Sequence, residues 1–130
     1  MQRIILSRST NKKKKYQVTF EDGTDIGFGG AGYSDYTIHK DPKRMRSYVL
    51  RHGGVISPSI MKEANEHKIH EKMLEVNRSK SETWGISGIK SPGFWSRWLL
   101  WSHPNMSAAL NFIRSRFDVV IEDQLNKKRR

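Results

Sequence analysis

The sequence contains no cysteine and comparatively few apolar residues. Without thiols the chain has no disulfide, no thiolate metal site and no cysteine nucleophile, which suits a protein made in a reducing compartment. Only 35% of its 130 residues are hydrophobic, so we expect a single domain over residues 1–130 with a small core. No apolar run approaches the roughly 18 residues that a membrane-spanning helix needs. We therefore expect no transmembrane segment.

Acidic residues are also scarce. The chain has 13 Asp and Glu against 24 Lys and Arg, which gives a formal net charge of +11. A positive potential over most of the surface favours polyanionic partners such as nucleic acid, anionic lipid or an acidic protein face. The charge alone does not choose among these three.

The N-terminal third has the pattern of a small β-meander. Residues 3–8, 16–20 and about 24–28 are short strand candidates, and the second alternates apolar and polar side chains. Asp22-Gly23 between the last two predicts a type I′ hairpin turn, because both residues tolerate a positive φ. We therefore predict an antiparallel three-stranded meander.

Four helices are predicted after the meander. Asp41-Pro42 and Ser91-Pro92 each combine an N-cap with proline at the first helical position. The first of these helices ends near His52, and the second is the aromatic segment through Trp101. The first is expected to bury an apolar stripe formed by Met45, Tyr48, Val49 and His52. A fourth helix is expected over about residues 106–117. The predicted fold class is α+β, with the meander followed by about four helices.

Two features of the C-terminal half concern burial and pairing. The aromatic helix is apolar on nearly all sides, so we expect Trp98 and Trp101 to be buried. Residues 119–121 (VVI) fit either a last strand or a packed extension of the core.

The remaining predicted helix is long and lacks a single apolar stripe. Ser57-Pro58 opens it, and it is expected to run to about Arg78. Its apolar residues divide between two directions, one of which contains Ile69, Met73 and Val76. We therefore expect residues 57–79 to form a protruding helical arm whose uncovered residues Ile69, Met73 and Val76 contact a partner.

No catalytic or cofactor site is expected. Residues 27–32 (GFGGAG) match the glycine spacing of a dinucleotide fingerprint, but no helix follows at once, so a bend leaving the last strand is favoured. His67 and His70 are one helical turn apart, yet a metal site needs further ligands. We predict no catalytic residues, no metal, no cofactor and no small-molecule substrate.

Basic residues occur in three groups that are candidates for contact with a polyanion or a protein partner. Dispersed cations are sufficient to bind phosphates without reading sequence; a merely solubilising surface is the alternative. The groups lie in the first hairpin loop, around the helix at residues 42–51, and in a basic tail at 127–130. They comprise Lys12, Lys13, Lys14, Lys15, Lys43, Arg44, Arg46, Arg51, Lys127, Lys128, Arg129 and Arg130.

Two stretches carry a resemblance to a known group of proteins. Residues 32–52 (GYSDYTIHKDPKRMRSYVLRH) and 84–101 (WGISGIKSPGFWSRWLLW) together resemble small basic proteins of nucleocytoplasmic large DNA viruses, such as those of algae and amoebae. The resemblance implies a virion-associated or minor capsid protein. The sequence departs from that pattern between Gly53 and Thr83, where the arm is predicted.

The expected function follows from the resemblance and the charge together. We expect a structural protein that is synthesised in the host cytoplasm and is incorporated into the virion, where it cements capsomers on the inner shell. Its partners would be other capsid proteins, with nucleic acid or the inner-membrane surface as further candidates. The alternative is a virion protein that binds and neutralises packaged DNA.

Overall fold

A four-stranded sheet joins the two ends of the described chain. The structure is a computed structural model that describes residues 2–125. Its strands are β1 (Arg3–Arg8), β2 (Lys14–Phe20), β3 (Asp25–Gly30) and β4 (Val120–Asp123). They lie in the order β3-β2-β1-β4. β1, β2 and β3 form the predicted antiparallel meander, and β4 pairs in parallel with β1.

The sheet is amphipathic because side chains alternate between its faces. Ile4 pairs with Phe20 and Leu6 pairs with Val18, and all four are buried. Ile4 also pairs with Ile121 of β4, which identifies residues 120–123 as the last strand. The α+β class is thereby confirmed.

The turn between β2 and β3 differs from the predicted type I′ turn. Gly23 has a φ of 89°, but Asp22 is not among the residues with a positive φ. The Gly23 amide donates to the Phe20 carbonyl at 2.9 Å, and the Phe20 amide donates to the Thr24 carbonyl at 2.9 Å. This is the longer hairpin loop in which only the glycine is left-handed. Asp22 instead accepts a hydrogen bond from the Thr24 amide.

Residues 2–125 contain six α-helices instead of the four predicted, and the last of them confirms the helix predicted over residues 106–117. They are α1 (Tyr36–His39), α2 (Pro42–Arg51), α3 (Pro58–Lys62), α4 (Glu66–Met73), α5 (Pro92–Trp95) and α6 (Met106–Phe117). A π-helical segment, Ser96–Leu100, continues α5. Within residues 2–125 no helix combines the length and the apolar character required to cross a bilayer.

The start signals of two helices operate as predicted. The Asp41 side chain accepts from the Lys43 amide at the start of α2, and Ser91 accepts from the Phe94 amide at the start of α5. Met45 and Val49 of α2 are fully buried. The cap and the apolar stripe therefore predicted α2 correctly.

The predicted long helix from Ser57 to Arg78 is wrong. The chain leaves the helical conformation at Glu63, and the Asn65 side chain caps a new helix by accepting from the Lys68 amide at 3.0 Å. Arg46 of α2 donates to the carbonyls of Ile60 and Glu63, both at 2.8 Å. These bonds satisfy carbonyl groups that a continuous helix would have used itself.

The prediction of a protruding arm with an uncovered stripe is also wrong. Ile69 and Met73 are fully buried and Val76 is 5% exposed. α4 packs against α2, so its stripe completes the core of this chain. Residues 57–79 therefore include part of the core, and their deletion would not leave the domain intact.

The centre of the protein contains a buried arginine. The Arg97 side chain is fully buried and donates to three carbonyl oxygens, those of Trp101 at 2.7 Å, Met73 at 2.6 Å and Val76 at 3.0 Å. Its guanidinium carbon lies 5.6 Å from the ring centre of Trp84 and 4.3 Å from that of Trp98. Arg97 thus joins the end of α4 to the aromatic segment.

The tryptophans around Arg97 are in the core. Trp98 is fully buried and Trp101 is 8% exposed, which confirms their predicted burial. The Trp98 indole N–H donates to the Trp84 carbonyl at 2.7 Å, and the Trp95 indole N–H donates to the Ile89 carbonyl at 2.6 Å. Each of these indole N–H groups therefore has an acceptor, as a buried donor requires.

The substitution Arg97→Lys tests the importance of the guanidinium fork. Lysine keeps the charge but not the planar set of donors, so some of the three carbonyls would lose their partner. We expect the free energy of unfolding, measured by urea denaturation, to fall by about 2–4 kcal/mol. The control is Arg116→Lys, which changes an exposed arginine that also lies over Trp98. Equal stability of the two variants would contradict the assigned role of Arg97.

Candidate anion-binding cleft

A cleft of about 410 Å³ lies where β2 and β3 approach α2 and the π-helical segment. Basic side chains line its walls, and Tyr48 and Trp101 contribute aromatic surface. Its lining residues are Lys14, Lys15, Gly29, Gly30, Tyr33, Ser34, Asp35, Arg44, Tyr48, Arg51, His52, Pro92, Ser96, Leu100 and Trp101. The cleft thus unites two of the three basic groups predicted from the sequence.

α2 contributes two arginines and a tyrosine to the wall of the cleft. Arg44, Tyr48 and Arg51 are spaced i, i+4 and i+7, so they share one side of the helix. The Tyr48 ring stacks on the Trp101 ring with centroids 4.3 Å apart and planes 5° from parallel. This stacking fixes the side of α2 that faces the cleft, and it sets the positions of the two arginines.

Two glycines at the end of β3 permit close contacts, Gly29 with the aromatic segment and Gly30 with Tyr33. Gly29 has a φ of 75°, and a Cβ atom there would lie 2.8 Å from Leu100 Cδ1. A Cβ atom on Gly30 would lie 2.7 Å from the Tyr33 ring. The glycine run therefore ends the sheet with a close approach, as the bend interpretation expected, and no helix begins before Tyr36.

One of the basic side chains in the cleft is neutralised internally. Lys15 Nζ lies 2.5 Å from Asp35 Oδ2, and the two side chains are only 14% and 2% exposed. Asp35 also caps α1 by accepting from the Thr37 amide at 2.9 Å. Lys15 therefore holds the loop before α1 against β2, and its charge is already paired.

The other cations of the cleft have no such partner. Lys14, Arg44 and Arg51 are exposed, and none forms an ion pair with any residue in the range 2–125. Lys14 begins β2, the two arginines belong to α2, and all three line the cleft. Three uncompensated positive charges around one concave surface create a site for an anion.

The remaining predicted basic residues have different positions. Lys12 and Lys13 are exposed in the turn before β2, and Lys43 is exposed at the start of α2, but these three do not line the cleft. Arg46 is occupied by the carbonyls at the end of α3. Lys127, Lys128, Arg129 and Arg130 lie outside the described residues.

Sequence reasoning missed two residues at this site. Tyr33 is 76% exposed and lies at the rim, and Asp35 is the buried counterion of Lys15. An aromatic residue inside a polar, glycine-rich loop was a usable signal for Tyr33, because such a loop offers little core to pack against. No local pattern pointed to the pairing of Asp35 with Lys15, which are 20 positions apart.

The comparisons with known proteins add one match. Residues 4–52 match the model of a family of unknown function (DUF5754). This range includes the meander, α2 and every unpaired cation of the cleft, but not the aromatic segment. Neither the curated proteins nor the solved structures contain a match to the chain.

A group of histidines lies beside the aromatic core. The Tyr36 hydroxyl and His70 Nδ1 are 2.9 Å apart, and the His70 and His103 rings meet edge to face at 5.4 Å. His67, by contrast, is exposed and pairs with Glu71 at 3.2 Å, so it does not converge with His70. In the described part of the chain no three His, Asp or Glu side chains are arranged to hold a metal ion.

Burial favours the neutral forms of His70 and His103. Burial, together with the nearby His70 and Arg97, lowers the pKa of His103 from 6.5 to about 4, and burial also lowers the pKa of His70. Between pH 6.5 and about 4 the unfolded chain therefore binds more protons at His103 than the folded chain does. Stability must fall as the pH decreases through this window.

The variant His103→Gln tests this origin of acid sensitivity. Glutamine cannot titrate, so the decrease in Tm between pH 6.5 and 4.5 should be smaller than in the parent protein by roughly 3–8 °C. Thermal melts followed by circular dichroism at both pH values measure the difference. If His103→Gln melted with the same pH dependence as the parent, His103 would not be the source.

Proposed function

We propose that the protein binds nucleic acid through the basic cleft, without catalysing a reaction. The observation that carries this proposal is the convergence of Lys14, Arg44 and Arg51, exposed and without carboxylate partners among residues 2–125, on one concave surface. Phosphate oxygens are the natural ligands of such groups, since arginine forms charge-assisted and often bidentate bonds with them. The overall charge of +11 strengthens the attraction at longer range.

The spacing of the arginines favours a polymer over a single small anion. Arg44 and Arg51 are seven residues apart on α2, which corresponds to about 10 Å along the helix axis. Two guanidinium groups at that separation bind different phosphates of one strand more readily than a single phosphate. Contacts of this kind hold the backbone and do not read base sequence.

The packing of α2 argues against a lipid surface as the partner. A helix that binds a membrane interface inserts an apolar face beside its cations. The apolar face of α2, with Met45 and Val49, is fully buried against the protein. Leu50, at 49% exposed, is the one large apolar side chain that α2 offers to solvent, which is little apolar contact for anchoring the helix in lipid.

The cellular setting of this binding comes from the sequence resemblance. If the chain is a component of large-DNA-virus particles, its ligand there would be the packaged genome, which the positive surface would neutralise. The minor-capsid, or cement, role remains a prediction of the same resemblance. The residues expected to make its capsid contact, Ile69, Met73 and Val76, belong to the core. Mass spectrometry of purified shells emptied of genome separates the two roles. A cement protein would still be detected in such shells, whereas a genome-binding protein would be absent from them.

A pair of charge-reversal variants tests the proposed cleft. Arg44→Glu/Arg51→Glu should weaken binding to a labelled 20-nucleotide oligonucleotide by about 10- to 100-fold, measured by fluorescence anisotropy. The slope of log affinity against log salt should become shallower by about 1.4–1.8, since two phosphate contacts are lost. The matched control is Lys62→Glu/Lys68→Glu, which changes the net charge equally at exposed positions outside the cleft.

Two results would contradict the proposal. The first is an equal loss of affinity in both double variants, which would mean that net charge alone governs binding. The second is tighter binding of the parent protein to phosphatidylserine vesicles than to the oligonucleotide. Thermal melts of both variants ensure that each is folded when its binding is measured.

A further inference from the structure

We infer that the cleft takes an unpaired nucleotide, with its base stacked on Tyr33 and its phosphates on Lys14, Arg44 and Arg51, so that the protein prefers single strands to duplex. This inference rests on the proposed function and specifies its ligand. It depends on an aromatic side chain whose position the basic residues alone do not explain.

Tyr33 is the most exposed of the large hydrophobic side chains recorded for residues 2–125, at 76%. Packing gives no reason for a large ring at this place, because the hydrophobic core lies elsewhere. The ring nevertheless has a defined support. The Tyr33 amide donates to the Gly30 carbonyl at 3.2 Å, and the missing side chain of Gly30 leaves the space that the ring edge occupies. Tyr33 is therefore a supported aromatic surface that is open to solvent.

The position of Tyr33 relative to the cations matches the two parts of a nucleotide. Tyr33 lines the same cleft as Lys14 and the two arginines of α2. In proteins that bind single strands, aromatic rings stack with bases while nearby cations hold the backbone. A cleft that offered only cations would suit any polyanion, whereas an added aromatic surface suits a ligand that has a planar ring.

A stacked duplex cannot make the same contact with Tyr33, because that contact needs the open face of a base. A volume of about 410 Å³ is in the range of pockets that hold one small ligand. In a duplex each base is covered by its neighbours, so a base can present its face to Tyr33 only if it is unpaired. The stacked rings of Tyr48 and Trp101 add apolar surface to the cleft.

The test compares single-stranded and duplex ligands with variants of Tyr33. Fluorescence anisotropy measures binding of a labelled 12-nucleotide oligothymidylate and of a duplex with the same number of phosphates. We expect the parent protein to bind the single strand at least about 5-fold more tightly. Tyr33→Ala should weaken single-strand binding by about 5- to 150-fold and leave duplex binding nearly unchanged. Tyr33→Phe, which keeps the ring, should remain within about 2-fold of the parent.

A matched control addresses the loss of exposed apolar surface in general. Ile38 is 59% exposed and does not line the cleft, so Ile38→Ala should bind both ligands as the parent does. Thymidine monophosphate is a separate arm of the experiment, because a free nucleotide offers the same base and phosphate. If the monophosphate competes only weakly with the labelled oligothymidylate, the result supports a strand that continues across the cations. If the monophosphate competes as strongly as an unlabelled oligonucleotide, the continuous strand is overturned.

The outcomes separate this inference from the proposed function. Salt-dependent binding that is equal for single strand and duplex, and unchanged in Tyr33→Ala, would overturn the inference while the basic cleft remained a nucleic-acid site. Binding of neither ligand by the parent protein would overturn both. Loss of single-strand binding in Tyr33→Ala but not in Tyr33→Phe supports the stacked base.

Discussion

A buried guanidinium holds the parts of this protein together. Arg97 has no carboxylate partner within residues 2–125 and is surrounded instead by carbonyl oxygens and the faces of two tryptophans. Burial lowers the pKa of Arg97 to about 9, so the group still carries its charge at neutral pH. A buried charge is costly unless it is hydrogen-bonded, and here the three carbonyls and the two aromatic rings offset that cost. The same bonds connect α4 with the aromatic segment.

The packing around Arg97 also determines the shape of the cleft. Arg97 donates to the Trp101 carbonyl, and the Trp101 ring stacks on Tyr48 of α2. Leu100, one residue earlier, meets the bare backbone of Gly29 on β3. The aromatic segment therefore spaces α2 from the hairpin, and this spacing sets how far apart the cations on either side of the cleft stand. Changes in the core are expected to alter binding even where they touch no ligand.

Sequence reasoning succeeded where the determinants are local. The alternation of β2, the Asp41-Pro42 cap and the apolar stripe of α2 depend on neighbouring residues, and all three led to correct elements. The cations Lys14, Arg44 and Arg51 were recognised as candidates for the same reason. Their convergence was not predicted, because it depends on the packing of the hairpin against α2.

The failures concern contacts between distant parts of the chain. The division of the predicted long helix depends on Arg46, which caps carbonyls 14 and 17 residues later. Ile69 and Met73 are buried because α4 packs against α2. The sequence near these two residues does not indicate that contact. Arg97 lies within an apolar run. The sequence does not indicate whether such an arginine side chain extends to solvent or is buried in the core.

Hydrogen–deuterium exchange of the parent protein, with and without a saturating 12-nucleotide single strand, tests the central claim most directly. The claim is that nucleic acid binds in the cleft between the hairpin and α2. The account predicts that amides around residues 12–15, 29–35 and 42–51 exchange more slowly in the complex. Slower exchange confined to α4, α6 or the basic residues 127–130 would contradict it, as would an exchange pattern that the oligonucleotide leaves unchanged.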